Sequence, residues 1–107
     1  MIVTLEGLRN KRACKIGISE FRRDFGENTE LNYKLWKWAE INDYLYWGML
    51  RFITNDVAEA CLLYLRDQGF DVDFSRLWLD DQLAFLVDSN KLSEKQIQML
   101  IEIINDD

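Results

Sequence analysis

The chain of 107 residues contains no proline, and this absence constrains its fold more than any other feature. Proline interrupts helices because it has no backbone N–H and its ring collides with the preceding turn. Apolar residues recur at spacings of three and four along most of the chain, a pattern typical of amphipathic helices. Hydrophobic residues make up 49% of the chain, enough for one real core. The sequence therefore predicts an all-α fold, a compact bundle of five or six short helices in a single domain over residues 1–107.

The first helical pattern runs from Thr4 to about Phe25. Its apolar face continues through four residues spaced by four, three and four: Cys14, Ile18, Phe21 and Phe25. Gly26 follows directly and suits the left-handed position after a helix end. The pattern leaves open whether Asn10 and Lys11 interrupt this helix.

Two further helices are predicted before residue 54. Thr29 is expected to cap the second helix, because a threonine side chain can accept from a free N–H of the first turn. Asn42 or Asp43 is expected to cap the third. The inner faces are predicted to contain Leu31, Leu35 and Trp38 in the second helix and Leu45, Met49 and Phe52 in the third.

The C-terminal half predicts three helices. Thr54 or Asn55 begins one that ends at Gly69, and its buried face is expected to hold Ala58, Cys61, Leu62 and Leu65. Another runs from Phe74 or Ser75 to Val87, with Leu79, Leu83, Leu86 and Val87 facing inward. The last has capping-box spacing at Ser93 and Gln96, followed by the apolar stripe Ile97, Leu100, Ile101 and Ile104.

Charge is unevenly distributed along the chain. The net charge is −6, but residues 1–54 sum to +2 and residues 55–107 to −8. Such asymmetry can mark a polar interaction surface, but acidic helices that simply face water are the more common explanation. An acidic excess argues against direct binding to nucleic acid or to an anionic membrane. Four aspartates in the acidic half are the predicted contacts for a basic protein partner: Asp71, Asp73, Asp80 and Asp81.

The middle of the chain is rich in aromatic residues, more than one helical face can bury. These residues are Trp36, Trp38, Tyr44, Tyr46 and Trp47. Some are expected to fill gaps between helices and others to contact a partner. Trp36, which the helical spacing places away from the inner face, and Trp47 are the predicted partner-binding aromatics.

Catalytic chemistry has little support in the sequence. The chain contains no histidine, the usual general base near neutral pH and the commonest metal ligand. The spacing of the aspartates matches no calcium-binding loop, and no glycine-rich phosphate loop occurs. We predict no catalytic residue, no metal site and no cofactor. The remaining enzymatic hypothesis is carboxylate chemistry with a divalent ion.

One basic set interrupts the acidic composition: Lys11, Arg12, Lys15, Arg22 and Arg23. Together with Trp36 and Trp38 it would suit a nucleic-acid surface, where bases stack on aromatic rings. Glu20 and Asp24 lie within the set, however. The favoured interpretation is that it pairs with the acidic half of the same molecule or of a second copy.

The two cysteines, Cys14 and Cys61, lie in apolar helical patterns and are predicted to be reduced core residues of a cytoplasmic protein. The N-terminus has no apolar signal segment. No apolar run approaches the roughly 18 residues of a membrane span.

Residues 12–21, with the element A-C-x-x-G-x-x-x-F, resemble small, largely uncharacterised bacteriophage and prophage proteins. The segment DYLYWGML, from Asp43 to Leu50, is similar to a second element of that group. The resemblance implies a small protein made inside a bacterial host cell and assigns no functional residue. The favoured hypothesis is a protein-binding module, a phage-encoded inhibitor of a host defence or nucleic-acid-handling complex that acts through its acidic surface. The alternative is a self-associating, dimeric accessory protein, suggested by Met99 and Ile103 beside the main stripe of the last helix.

Overall fold

The computed structural model describes residues 1–106. In chain order it contains β1 (Ile2–Thr4), α1 (Leu5–Asn10), α2 (Lys15–Phe25), β2 (Asn28–Glu30), α3 (Tyr33–Ile41), α4 (Leu45–Phe52), α5 (Asn55–Asp67), α6 (Leu79–Ser89) and α7 (Glu94–Asn105). Helices account for 66% of the structure, so the mostly helical class is confirmed. Seven helices and a two-stranded sheet in the described residues replace the predicted five or six helices.

The two-stranded sheet was not predicted. β1 pairs antiparallel with β2, and Val3 lies opposite Thr29. Thr29 therefore lies in a strand, and its predicted role as a helix cap is wrong. Helix α3 begins four residues later, where the Oδ1 atom of Asn32 accepts from the backbone N–H of Leu35 at 2.9 Å. The strand pair depends on contacts between distant residues, which helical periodicity does not report.

The first helical pattern is interrupted after Asn10. Arg12 has a φ of 63°, in the left-handed region that ends a helix. A new helix, α2, starts after Cys14, whose Sγ atom accepts from the backbone N–H of Gly17 at 3.3 Å. Because Cys14 precedes α2 as its N-cap, its side chain is exposed and the predicted core position is wrong. Cys61 is buried as predicted.

Two predicted helix starts in the C-terminal half are confirmed. Thr54 caps α5, and Ser93 and Gln96 form a capping box at the start of α7. Helix α6, in contrast, begins at Leu79 rather than at Phe74 or Ser75. Its first turn is capped by a residue that is distant in sequence, because the backbone N–H groups of Leu79 and Asp80 donate to Asn55 Oδ1 at 3.0 and 3.2 Å.

The core lies where the C-terminal helices meet. Helix α6 packs against α4 and α5, while α7 packs against α3 and α5. Because α3 contacts both α4 and α7, it buries more than one stripe of side chains. Trp36 is therefore only 2% exposed, and its predicted orientation away from the core is wrong. No helix within residues 1–106 is both long and apolar enough to cross a membrane.

Candidate functional site

One face of α6 carries large side chains that the core does not cover. Asp81, Phe85 and Asp88 are spaced by four and three residues and so lie on the same side of the helix, and Trp78, the N-cap residue directly before α6, precedes Asp81 by three residues. We call these four residues the α6 face. Trp78 is 67% exposed and Phe85 is 62% exposed, and Leu77 beside them is 75% exposed. Large apolar side chains grouped in this way mark interaction surfaces.

The α6 face is exposed because the opposite side of the helix already fills the core. Leu79, Leu83 and Val87 are buried between α4 and α5. A helix that packs on two neighbours still leaves one stripe toward solvent. Here that stripe contains a tryptophan and a phenylalanine in place of the usual polar residues.

Tyr46 links α4 to the α6 face. Its hydroxyl group donates to Asp81 Oδ1 at 2.6 Å. This hydrogen bond raises the pKa of Tyr46, with smaller contributions from partial burial and from the negative charge of Asp81. The bond holds the Asp81 carboxylate beside the ring of Tyr46. Tyr46 is 36% exposed, so it adds a third accessible aromatic ring to Trp78 and Phe85.

Gln82 anchors the segment that leads into α6. Its side chain is buried, with 7% exposure. The Oε1 atom accepts from the backbone N–H of Asp73 at 2.8 Å, and Nε2 donates to the carbonyl oxygen of Asp73 at 2.9 Å. These two bonds hold the backbone of Asp73 against the first turn of α6, five residues before Trp78.

The predicted aspartates have separate roles. Only Asp81 lies on the α6 face, while the neighbouring Asp80 lies about 100° around the helix from it. Asp73 stabilises a turn, since its carboxylate accepts from the backbone N–H and the hydroxyl group of Ser75 at 3.0 and 2.6 Å. The two bonds from Ser75 lower the pKa of Asp73. The Asp71 side chain is exposed in the segment before α6.

The carboxylates within residues 55–106 are not neutralised by ion pairs. Among residues 1–106 the ion pairs are Arg23–Asp24 and Lys37–Glu40, both within the N-terminal half. The expectation that the basic set pairs with the acidic half of the same chain is therefore wrong for the part of the chain described. Over the same residues, no three histidine, cysteine, aspartate or glutamate side chains lie so that they could hold a metal ion.

Of the two predicted partner-binding tryptophans, only Trp36 is inaccessible to a partner, and the role of Trp47 stays a prediction. Trp36 is buried, and Trp47 is half-buried against Phe52, with ring centroids 6.1 Å apart. Sequence reasoning missed Trp78 and Phe85. The sequence signal that could have identified them is their spacing of three and four residues from Asp81. This spacing defines a second stripe of side chains, separate from the apolar stripe that was already predicted to face the core.

The element A-C-x-x-G-x-x-x-F has structural roles in this fold. Cys14 caps α2, and Phe21 is buried in the core at 1% exposure. Gly17 lies beside the ring of Tyr44, where an added Cβ atom would be 3.4 Å from Tyr44 Cζ. The two sequence elements therefore meet at the contact between Gly17 and Tyr44.

The α6 face combines aromatic rings with carboxylates. Residues 77–90 contain three aspartates and no lysine or arginine. Such a surface can bury aromatic area in a partner and attract a positively charged one. Comparisons with protein-family models, curated proteins and solved structures found no match to the chain.

Proposed function

We propose that the chain is a non-enzymatic protein-binding module whose contact surface is the α6 face. The observation that carries the proposal is the exposure of Phe85 on α6 and of Trp78 at its N-cap, beside carboxylates that form no ion pair within residues 1–106. Tryptophan and other aromatic residues dominate binding hot spots, because each buries a large area at low entropic cost. The bonds made by Gln82 and Asn55 would hold the backbone on either side of Trp78 in place before binding.

The charge of the acidic half selects the partner. We infer a protein with a basic surface that contains an apolar pocket, since complementary charge speeds association and apolar burial then slows dissociation. A nucleic-acid-binding channel has a basic surface of this kind. Together with the resemblance to small bacteriophage proteins, this supports an inhibitor of a host defence or nucleic-acid-handling complex.

The proposal is tested by affinity capture of the tagged protein from bacterial lysate at low and high salt, followed by titration of the purified partner. Trp78→Ala and Phe85→Ala are each expected to weaken binding by about 30-fold or more, because truncation of a hot-spot residue costs roughly 2 kcal/mol or more. Ile41→Ala is the matched control, because Ile41 is 77% exposed on α3 and lies outside the α6 face.

A second arm tests the role of charge. Asp88→Lys reverses a charge on the α6 face, and among residues 1–106 Asp88 lies in no ion pair that the substitution would break. We expect slower association and a weaker dependence on salt. A partner that binds the wild type, the two alanine variants and Asp88→Lys equally would show that the contact surface lies elsewhere.

The alternative is self-association through the same face. Met99 and Ile103, which suggested a dimer through α7, are half-buried, and Ile103 packs against the core. The exposed rings of the α6 face are now the better candidates for contact with a second copy. Light scattering distinguishes the two functions: a dimer that Phe85→Glu dissociates supports self-association, and a monomer at high concentration refutes it.

A further inference from the structure

A cavity of about 340 Å³ lies between the N-terminal helices, on residues that the α6 face does not use. Side chains from β1, α1, α2, α3 and α4 line it. Its volume falls within the range of about 300–1,000 Å³ that small-molecule sites occupy. Exposed residues of the lining, among them Arg12 and Cys14, show that the cavity reaches the surface.

The lining of the cavity is mostly apolar. Among the lining residues described, only Arg12 and Met1 carry a charge: both are exposed, and the α-ammonium group of Met1 donates to Asn105 Oδ1. A charged or strongly polar group deep in the cavity would lose its bonds to water without replacement. The interior is therefore suited to a neutral and largely apolar molecule.

Trp36 supplies the one observation that points to a particular ligand chemistry. It lines the cavity and is 2% exposed, and its Nε1–H group has no hydrogen-bond partner among residues 1–106. Trp38 differs, since its Nε1–H group donates to Asp24 Oδ2 at 2.8 Å. An indole N–H only donates, so its partner must be an acceptor such as a carbonyl oxygen. Buried donors without partners are uncommon and costly.

We propose that this cavity is a binding site for a neutral apolar molecule that carries one oxygen acceptor, and that Trp36 Nε1–H donates to that oxygen. The apolar lining holds the body of the molecule, and the indole fixes its orientation. This site is independent of the proposed function, because the α6 face shares no residue with the cavity lining.

The probes are butyrophenone and butylbenzene, which differ only in whether a carbonyl or a methylene group follows the ring. Binding is followed in the ¹H–¹⁵N spectrum through the four tryptophan indole resonances, assigned by single Trp→Phe substitutions. We expect both probes to perturb the resonances of the lining residues Trp36, Trp38 and Trp47 and to leave that of Trp78 unchanged. Only butyrophenone should move the Trp36 proton downfield, as hydrogen bonding requires.

The contribution of the hydrogen bond is isolated by a double-mutant cycle. The ratio of the two affinities in the wild type is compared with that in Trp36→Phe, which cancels the different solvation of the two probes. The preference for butyrophenone over butylbenzene is expected to be about 10-fold greater in the wild type than in Trp36→Phe, which corresponds to about 1.4 kcal/mol.

Gly48→Leu provides a second variant that leaves Trp36 intact. Gly48 lines the cavity, and an added Cβ atom there would meet no other atom within 4 Å. The larger side chain is expected to weaken the binding of both probes at least 10-fold while the protein remains folded. The proposal is overturned if neither probe binds the wild type with a Kd below about 1 mM. It is equally overturned if the Trp36 resonance responds alike to both probes, because the indole would then have no ligand acceptor.

Discussion

Replacing Gln82 with methionine is expected to destabilise the protein by about 2 kcal/mol. Methionine has a similar length and helix propensity, so the substitution removes little besides the amide group. That amide makes two hydrogen bonds with the backbone of Asp73, at 2.8 and 2.9 Å, and both join neutral groups. Each such bond contributes about 1 kcal/mol net of its exchange with water. For a domain of this size, the loss corresponds to a decrease in Tm of about 9 °C.

The assay is urea unfolding followed by far-ultraviolet circular dichroism, with the free energy of unfolding extrapolated to water. Gln98→Met is the matched control, because Gln98 is exposed on α7 and the same substitution there removes no buried bond. It should change the free energy of unfolding by less than about 0.5 kcal/mol. Hydrogen exchange at the Asp73 amide should accelerate in Gln82→Met and stay unchanged in Gln98→Met.

Gln82→Glu tests the same two bonds through pH. When ionised, the introduced carboxyl can accept from the Asp73 N–H but faces the Asp73 carbonyl oxygen, so its pKa in the folded protein should exceed the unfolded value of about 4.3. The native state then binds the proton more tightly, and stability relative to the wild type should rise as the pH falls through the folded pKa. Equal stability of Gln82→Met and Gln98→Met, or a flat pH profile for Gln82→Glu, would refute the role assigned to Gln82.

Three further predictions concern single sites. Asn55→Ala removes the acceptor that caps α6 and should lower the free energy of unfolding by about 1 kcal/mol, measured in urea. Burial raises the pKa of Cys61 to about 12. Ellman's reagent should therefore react only with the exposed Cys14 in the native protein and with both thiols after unfolding. Two reactive thiols in the native protein would contradict the burial of Cys61. Leu62→Ala should cost about 3 kcal/mol because Leu62 is fully buried, whereas Leu63→Ala, at a position 41% exposed, should cost less than about 1 kcal/mol; equal losses would contradict the packing of α5.

The candidate site was predictable only in part. The acidic charge of the C-terminal half and the presence of Asp81 follow from the sequence, because charge is a property of composition. The placement of Trp78 and Phe85 required knowledge of which side of α6 packs on α4 and α5. Trp36 illustrates the reverse case, since a tryptophan predicted to be exposed is buried by contacts of α3 with two neighbouring helices.

What the sequence alone determined is the local structure. The starts of α5 at Thr54 and of α7 at Ser93 depend on side chains that cap a backbone N–H three residues away, and periodicity predicts the buried faces of these two helices. The tertiary structure alone decided the pairing of β1 with β2 and the start of α6, which Asn55 caps across 24 residues of chain. It also decided the apolar cavity beside Trp36. Contacts between distant residues decide these features, and no local pattern in the chain encodes which distant residues will meet.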